Sequence, residues 1–400
     1  MRAFVREAFS VVLAVLAIAV VASIAEFLSR PDVKGQGIKS LTYSKGSVVG
    51  TRADTDVALA AERKAADDEI TMLKARIAEL ESETPPVDPP PVDPPPVENP
   101  DELPVLGFSL NGEALAGPIS SAHLRNLRAL SPGDVWARVG FSSDGDWRAN
   151  VNKWTSAIRA ADMKVLLRAS FPGNQWNGQV PLNTTAYGQF VGEMAQYAKS
   201  LGLGPDVLVF EYPNEINSTK ITGTQYAEAA KAAYPRLKFI DPNYKIIGAS
   251  EHVYLGNWKP WLAECFNAGF FNASDGVSFH NYDVANDHQR YTYLRQLMVQ
   301  HNATSKMVWV SEFGVPTPPS PSGKPLGGQT PENQAKLLVA NLQDMGADLP
   351  WIDVAMVYAD LDIPSRPNTN EGWFGIYTNT SSWEKKAKLA VEAIRSLYHS

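Results

Sequence analysis

From Val105 to the C-terminus one pattern repeats: a short apolar run, then a longer stretch of helical periodicity. The apolar runs fall at 105–110, 135–141, 164–170, 206–212, 245–250, 276–281, 307–313 and 353–359. Helical patterns include Thr185–Leu201, Gly223–Tyr234, Trp258–Ala268, Asp287–Gln300, Pro331–Met345 and Trp383–Tyr398. Strands that alternate with helices build a parallel sheet, because a crossover helix returns the chain to start the next strand in the same direction. Eight strands suffice to close the sheet and remove its edges, and 105–400 has the ordinary length of such a unit, roughly 250 residues or somewhat more. The expected fold class is therefore α/β, a (β/α)8 TIM barrel. An open doubly wound sheet would carry a Gly-rich phosphate loop after its first strand, and Leu-Asn-Gly-Glu-Ala-Leu-Ala-Gly (110–117) lacks that glycine spacing.

The chain before the barrel divides by composition. Residues 8–25 hold no charge, and only Ser10 and Ser23 are polar. As a helix they would be roughly 27 Å long, enough for the hydrocarbon layer of a bilayer. A cleaved signal peptide is the alternative, with Arg2 and Arg6 as its basic region and Val21-Ala22-Ser23 as its small residues. The apolar run exceeds the usual signal core, which favours an uncleaved anchor within 1–30. Arg30, Lys34 and Lys39 follow the segment, so flanking charge does not choose an orientation. Within 31–83, residues 53–83 contain no Pro or Gly, and Ala66, Ile70, Leu73, Ile77 and Leu80 keep the alternating spacing of four and three. This is either a short coiled coil, which would make homo-oligomers, or a solitary helical stalk. Residues 84–104 repeat proline, which fixes φ and removes backbone donors, so this stretch is expected to be a stiff polyproline II linker.

Charge and cysteine content exclude some classes. The net charge is -7 and no Lys/Arg cluster marks a nucleic-acid surface. Cys265 is the only cysteine, so an intrachain disulfide and a cysteine zinc cluster are both ruled out, and its apolar setting reads as a buried helix position.

Two of the apolar runs lead into glutamates. Residues 207–217 read Val-Leu-Val-Phe-Glu-Tyr-Pro-Asn-Glu-Ile-Asn, and 307–314 read Met-Val-Trp-Val-Ser-Glu-Phe-Gly. In the strand count Glu215 ends the fourth strand and Glu312 the seventh, so the two acids would face each other at the C-terminal mouth of the barrel. Two carboxyl groups facing each other there fit cleavage of a glycosidic bond, in which one protonates the leaving oxygen and the other attacks the anomeric carbon. Glu211 shares the parity of Glu215, but a glutamate four residues deeper is expected to pair with a basic side chain, Arg168 being one candidate.

Phe-Glu-Tyr-Pro-Asn-Glu-Ile-Asn (210–217) resembles the Trp-Glu-Ile-Trp-Asn-Glu-Pro-Asn motif of clan-A retaining glycoside hydrolases, the cellulase-like and β-xylosidase-like (β/α)8 families. Trp-Val-Ser-Glu-Phe-Gly (309–314) is similar to their seventh-strand nucleophile motif. Gly-Val-Ser-Phe-His-Asn-Tyr (276–282) is similar to the sixth-strand His-x-Tyr, and Trp-Ala-Arg-Val (136–139) to the second-strand arginine motif. The resemblance implies a retaining glycosidase acting on a polysaccharide or oligosaccharide outside the cytoplasm, with no cofactor. It implies Glu215 as acid and base, Glu312 as nucleophile, Arg138 and Tyr282 as donors to Glu312, Asn214 on the sugar 2-hydroxyl, and His280 beside Glu215 or the substrate. Pro213 and Ile216 depart from the motif, and Tyr358 stands where many members carry a tryptophan platform. Trp373, Trp147 and Trp176 are the candidates to supply one instead. Two competing readings are a catalytically silent carbohydrate-binding or structural barrel on the membrane anchor, and a metal hydrolase using His280, Glu215 and Glu312. Retention of both glutamates with Asn214 argues against the first, and the absence of His-x-His or His-Glu-x-x-His spacing argues against the second.

Overall fold

The computed structural model describes residues 103–110, 120–176, 180–251, 258–282, 288–317, 329–363, 370–379 and 385–400. The chain divides at Pro95/Pro96 into two units, and every described residue falls in the second. The apolar segment 8–25, the stalk 53–83 and nearly all of the proline linker lie outside the described residues. Among the described residues no helix is long and apolar enough to cross a membrane.

Eight parallel strands close into a barrel in sequence order: β1 (Val105–Ser109), β2 (Val135–Ser142), β3 (Lys164–Ser170), β4 (Leu208–Glu211), β5 (Lys245–Gly248), β6 (Gly276–Asn281), β7 (Met307–Phe313) and β8 (Val354–Tyr358). β8 pairs with β1, which closes the ring. A main helix follows each strand: α1 (Ser121–Arg128), α2 (Trp147–Ala160), α3 (Thr184–Ser200), α4 (Gly223–Ile240), α5 (Trp258–Asn267), α6 (His288–Gln300), α7 (Pro331–Asp348) and α8 (Leu389–Tyr398), with one extra short helix, Gly173–Trp176, after β3. Short polar side chains start many of these helices. Ser120, Asp146, Asn183, Thr222 and Thr330 each accept a backbone N–H from the first turn, satisfying a donor the helix itself cannot.

The strands are largely apolar because both their faces are buried. One face of each strand packs under the helices in the large outer core, to which Val165, Leu167, Phe210, Val277, Phe279, Val308 and Val310 belong. The other face fills the barrel with Trp136, Leu166, Val209, Ile247, Trp309, Val354 and Met356. Above that plug the inward positions turn polar, and the site begins there.

Three boundaries differ from the sequence expectation. α4 continues through Pro235 to Ile240, past the expected end at Tyr234; the N–H bond that Pro235 cannot make is outweighed by burial of the helix against α3 and α5. Trp383–Tyr398 is not one helix: β10 (Lys385–Ala387) pairs antiparallel with β9 (Tyr377–Asn379), and α8 starts only at Leu389. β4 ends at Glu211, so Glu215 sits beyond the strand rather than at its end.

Candidate active site

Arg138 is the hub of the barrel mouth. It lies on the inner face of β2, only 2 % exposed. Its Nε donates to Glu211 Oε2 at 2.5 Å, and Nη2 donates to Asn214 Oδ1 at 2.5 Å. Nη1 donates to Glu312 Oε1 and, at 3.2 Å, to Ser109 Oγ. The fork of one guanidinium therefore ties together β1, β2, β4 and β7. Burial alone would lower the pKa of Arg138, but the carboxylates of Glu211 and Glu312 outweigh it and push the pKa up. Glu211 is paired with Arg138 and not with Arg168, a correction to the sequence expectation.

Glu312 reaches the interior through a bulge. Along β7, Val308 and Val310 face outward and Trp309 faces inward, so strict alternation would turn Ser311 inward and Glu312 outward. The register breaks between these residues: Phe279 pairs with Val310, but His280 pairs with Glu312. On the other side Val310 and Phe313 pair with Ala355 and Val357. Ser311 is thus the extra residue, and it re-aims the glutamate into the mouth. There Tyr282 donates its hydroxyl to Glu312 Oε2 while Arg138 holds Oε1. Desolvation would raise the Glu312 pKa; the imidazole of His280, the guanidinium of Arg138 and the Tyr282 bond more than offset it, holding the carboxyl at about 2.

Glu215 sits on a strained turn. Its φ is 52°, a left-handed conformation uncommon for a residue with a side chain. Its N–H donates to Ser250 O at 2.9 Å, and its carbonyl accepts from Ser218 N and Ser218 Oγ, so the turn is fixed from both sides. The carboxyl is partly exposed, unlike that of Glu312. His280 bridges the two acids, fully buried, with Nδ1 3.1 Å from Glu215 Oε1 and Nε2 3.5 Å from Glu312 Oε1. One oxygen of each glutamate and a ring nitrogen of His280 all lie within 4.8 Å of one another.

Around this centre stands an aromatic wall. The rings of Tyr282, Tyr358 and Phe374 meet edge to face at 5.3–5.8 Å between centroids. Tyr358 is half-buried at the end of β8, and Trp373, also half-buried, precedes Phe374. Phe374 was not read from the sequence as a site residue, since a lone Phe in a loop carries no signal of its own. Trp147 does not belong to the mouth: it is buried between α2 and α3, against Phe190 and Tyr197. The side chain of Trp176 lies outside the described residues.

The same three groups that bridge the acids could be read as metal ligands. A cation there would share Glu312 with the Arg138 guanidinium, and both Glu312 oxygens already accept hydrogen bonds. Like-charge repulsion at that separation makes the set a poor cation site.

No protein-family model and no curated protein matches the sequence. Solved structures do match. A fungal β-1,4-galactanase aligns with TM-score 0.55 at 15% identity, covering 74% of this chain and 99% of that one. A glucosidase from Croceicoccus marinus aligns with TM-score 0.53 at 14% identity, covering 75% and 69%. The GH53 catalytic domain of Ignisphaera aggregans aligns with TM-score 0.52 at 15% identity, covering 78% and 100%. The barrel is one that glycoside hydrolases use. At these identities the likeness establishes the fold, and the chemistry has to be argued from the side chains.

Proposed function

We propose that this chain is a retaining glycoside hydrolase that cleaves a polysaccharide by double displacement. The observation that carries the reading is the spacing and state of the two acids. Their nearest oxygens lie no more than 4.8 Å apart, which suits a direct attack across one glycosidic bond. Retaining enzymes hold their carboxyls about 5–5.5 Å apart, whereas inverting enzymes need roughly 6.5–9.5 Å to admit a water between acid and base.

The division of labour follows from environment. Glu312 is held ionised by Arg138, Tyr282 and His280, as a nucleophile must be, and its carboxylate attacks the anomeric carbon. Glu215, the more exposed acid, gives its proton to the departing glycosidic oxygen. A water then enters, Glu215 takes its proton, and the hydroxide displaces Glu312 from the sugar. Asn214 presents its side chain beside Glu215, fixed by Arg138, where the 2-hydroxyl of the sugar would lie. His280 orients Glu215 without facing solvent. Tyr358 and Trp373 are the candidates for the apolar floor under the sugar ring.

We also propose that the barrel works outside the cytoplasm, held by the apolar segment 8–25 and extended by the proline-rich 84–104. A polymer substrate cannot cross the bilayer to reach its enzyme, and a stiff spacer of roughly 60 Å gives the barrel reach.

The test is hydrolysis by the full chain on a panel of polysaccharides and aryl glycosides, with product anomers read by NMR. Glu312→Ala should lose several orders of magnitude, with partial rescue by azide giving a glycosyl azide of inverted configuration. Glu215→Ala should spare substrates with good leaving groups. Hydrolysis that survives both substitutions, or a product of inverted anomeric configuration, overturns the reading.

A further inference from the structure

Arg168 is a guanidinium at the mouth of the barrel that has no hydrogen-bond acceptor among the described residues. It lies on the inner face of β3, half-buried, and its Nε is buried without a hydrogen-bond partner. No carboxylate or carbonyl among the described residues bonds it. Its position explains why. Arg138, Leu166 and Val209 form one row across β2, β3 and β4, and Gly140, Arg168 and Glu211 form the next row toward the mouth. The guanidinium folds over Gly140: a Cβ there would come within 2.5 Å of Arg168 Nε and 2.8 Å of Nη2. Only glycine leaves that space. Arg168 therefore leans toward β2, and Glu211 on β4 is left to Arg138.

A half-buried arginine without an acceptor is costly, because the charge has lost part of its water and gained no partner. Here the nearest charge of the same sign is Arg138, which together with burial lowers the Arg168 pKa. Arg138 bonds Glu211 and Glu312 directly, one cation to two carboxylates, and neither carboxylate hydrogen-bonds Arg168. By register Arg168 lies between Gly140 and Glu211, one row nearer the mouth than Arg138.

We propose that Arg168 receives an anionic substituent of the sugar chain, so that the substrate is an acidic polysaccharide bearing uronic-acid carboxylates or sulfate esters. This rests on the glycosidase reading of the same site. The planar fork of arginine fits both oxyanions through paired N–H bonds, and a neutral hydroxyl would leave its charge unmatched. Global attraction does not enter, because the chain carries a net charge of -7 and is repelled by a polyanion at long range.

The test uses the full chain in nonionic detergent against matched polymers. Polygalacturonate, alginate and glucuronoxylan are each compared with their carboxyl-reduced forms, and a sulfated galactan with its desulfated form. Affinity electrophoresis reads binding, and reducing-end release reads hydrolysis. At least one acidic polymer should bind about tenfold to a hundredfold tighter than its neutral counterpart, the range expected for charge-assisted hydrogen bonds. The reduced and desulfated arms tell which anion is recognised. In Arg168→Gln that ratio should fall toward one, and Arg168→Lys should keep part of it. Wild-type protein that distinguishes no pair overturns the inference, as does a preference that survives in Arg168→Gln. Cleavage of neutral polymers alone would leave the glycosidase reading standing and remove this one. Selective binding of an acidic polymer without cleavage would do the reverse.

Discussion

Glu312 ties the stability of the barrel to pH in a way that one substitution can expose. Its carboxyl is held at about 2 in the folded chain, against an ordinary value of 4.5. The difference, 4.5 minus 2, is 2.5 pH units, and at about 1.36 kcal/mol per unit it corresponds to about 3 kcal/mol of linked stability. Because the folded value is the lower one, the unfolded chain takes up the proton first as acid is added. The contribution is complete above about pH 4.5, shrinks as pH falls, and is gone near pH 2. Urea unfolding of the full chain and of Glu312→Gln, measured from pH 6 to pH 2.5, isolates it. Remote carboxylates titrate alike in both proteins and cancel in the difference. The stability of wild type relative to Glu312→Gln should therefore fall by about 2.5 kcal/mol over that range, most of it below pH 4.5. Parallel curves would refute the claim that Arg138, Tyr282 and His280 hold Glu312 ionised, and the nucleophile assignment would lose its electrostatic basis.

Two more outcomes separate packing from chemistry. Trp147→Ala empties a buried site between α2 and α3 and should cost about 3–5 kcal/mol in denaturant unfolding, with the KM for polysaccharide unchanged. A tenfold rise in KM in the folded variant would return Trp147 to the sugar site. Deletion of Ser311 removes the extra residue of β7, so Glu312 should turn outward and hydrolysis should fall by several orders of magnitude, while Ser311→Ala, which keeps the residue count, stays near wild type. Full activity in the deletion would show that the bulge does not aim the acid.

The strands were legible because they are buried on both faces and read as continuous apolar runs; β3, β6 and β7 begin and end where the sequence puts them. The C-terminal stretch was not, because a helical period through Trp383–Tyr398 hides the pairing of β10 with β9, which is a tertiary contact. In the site, motif order located Glu215, Glu312, Arg138, Tyr282 and His280. Their geometry was beyond reach for local reasons. Alternation, applied strictly, would have turned Glu312 out of the barrel, and no residue type in Val-Ser-Glu announces a bulge. Likewise the left-handed turn at Glu215 is set by bonds to Ser250 and Ser218, and a glutamate gives no sign of positive φ.

The pairing of Glu211 is the clearest case of contacts deciding what composition left open. The sequence offers Arg168 as a partner, the structure uses Arg138, and the two choices give different active sites. With Glu211 on Arg138 Nε, the guanidinium is fixed at one edge, and its remaining nitrogens are aimed at Glu312 and Asn214. Glu211 is thus a positioning residue: fully buried, it sets the angle at which Arg138 presents its fork. The other pairing would leave the Nε edge of Arg138 without Glu211 and would engage Arg168 instead. At Gly140 a Cβ would come within 2.5 Å of Arg168 Nε, so any larger side chain there would displace the Arg168 guanidinium. A single missing Cβ thus sets where Arg168 lies beside the network of Arg138, Glu211 and Glu312.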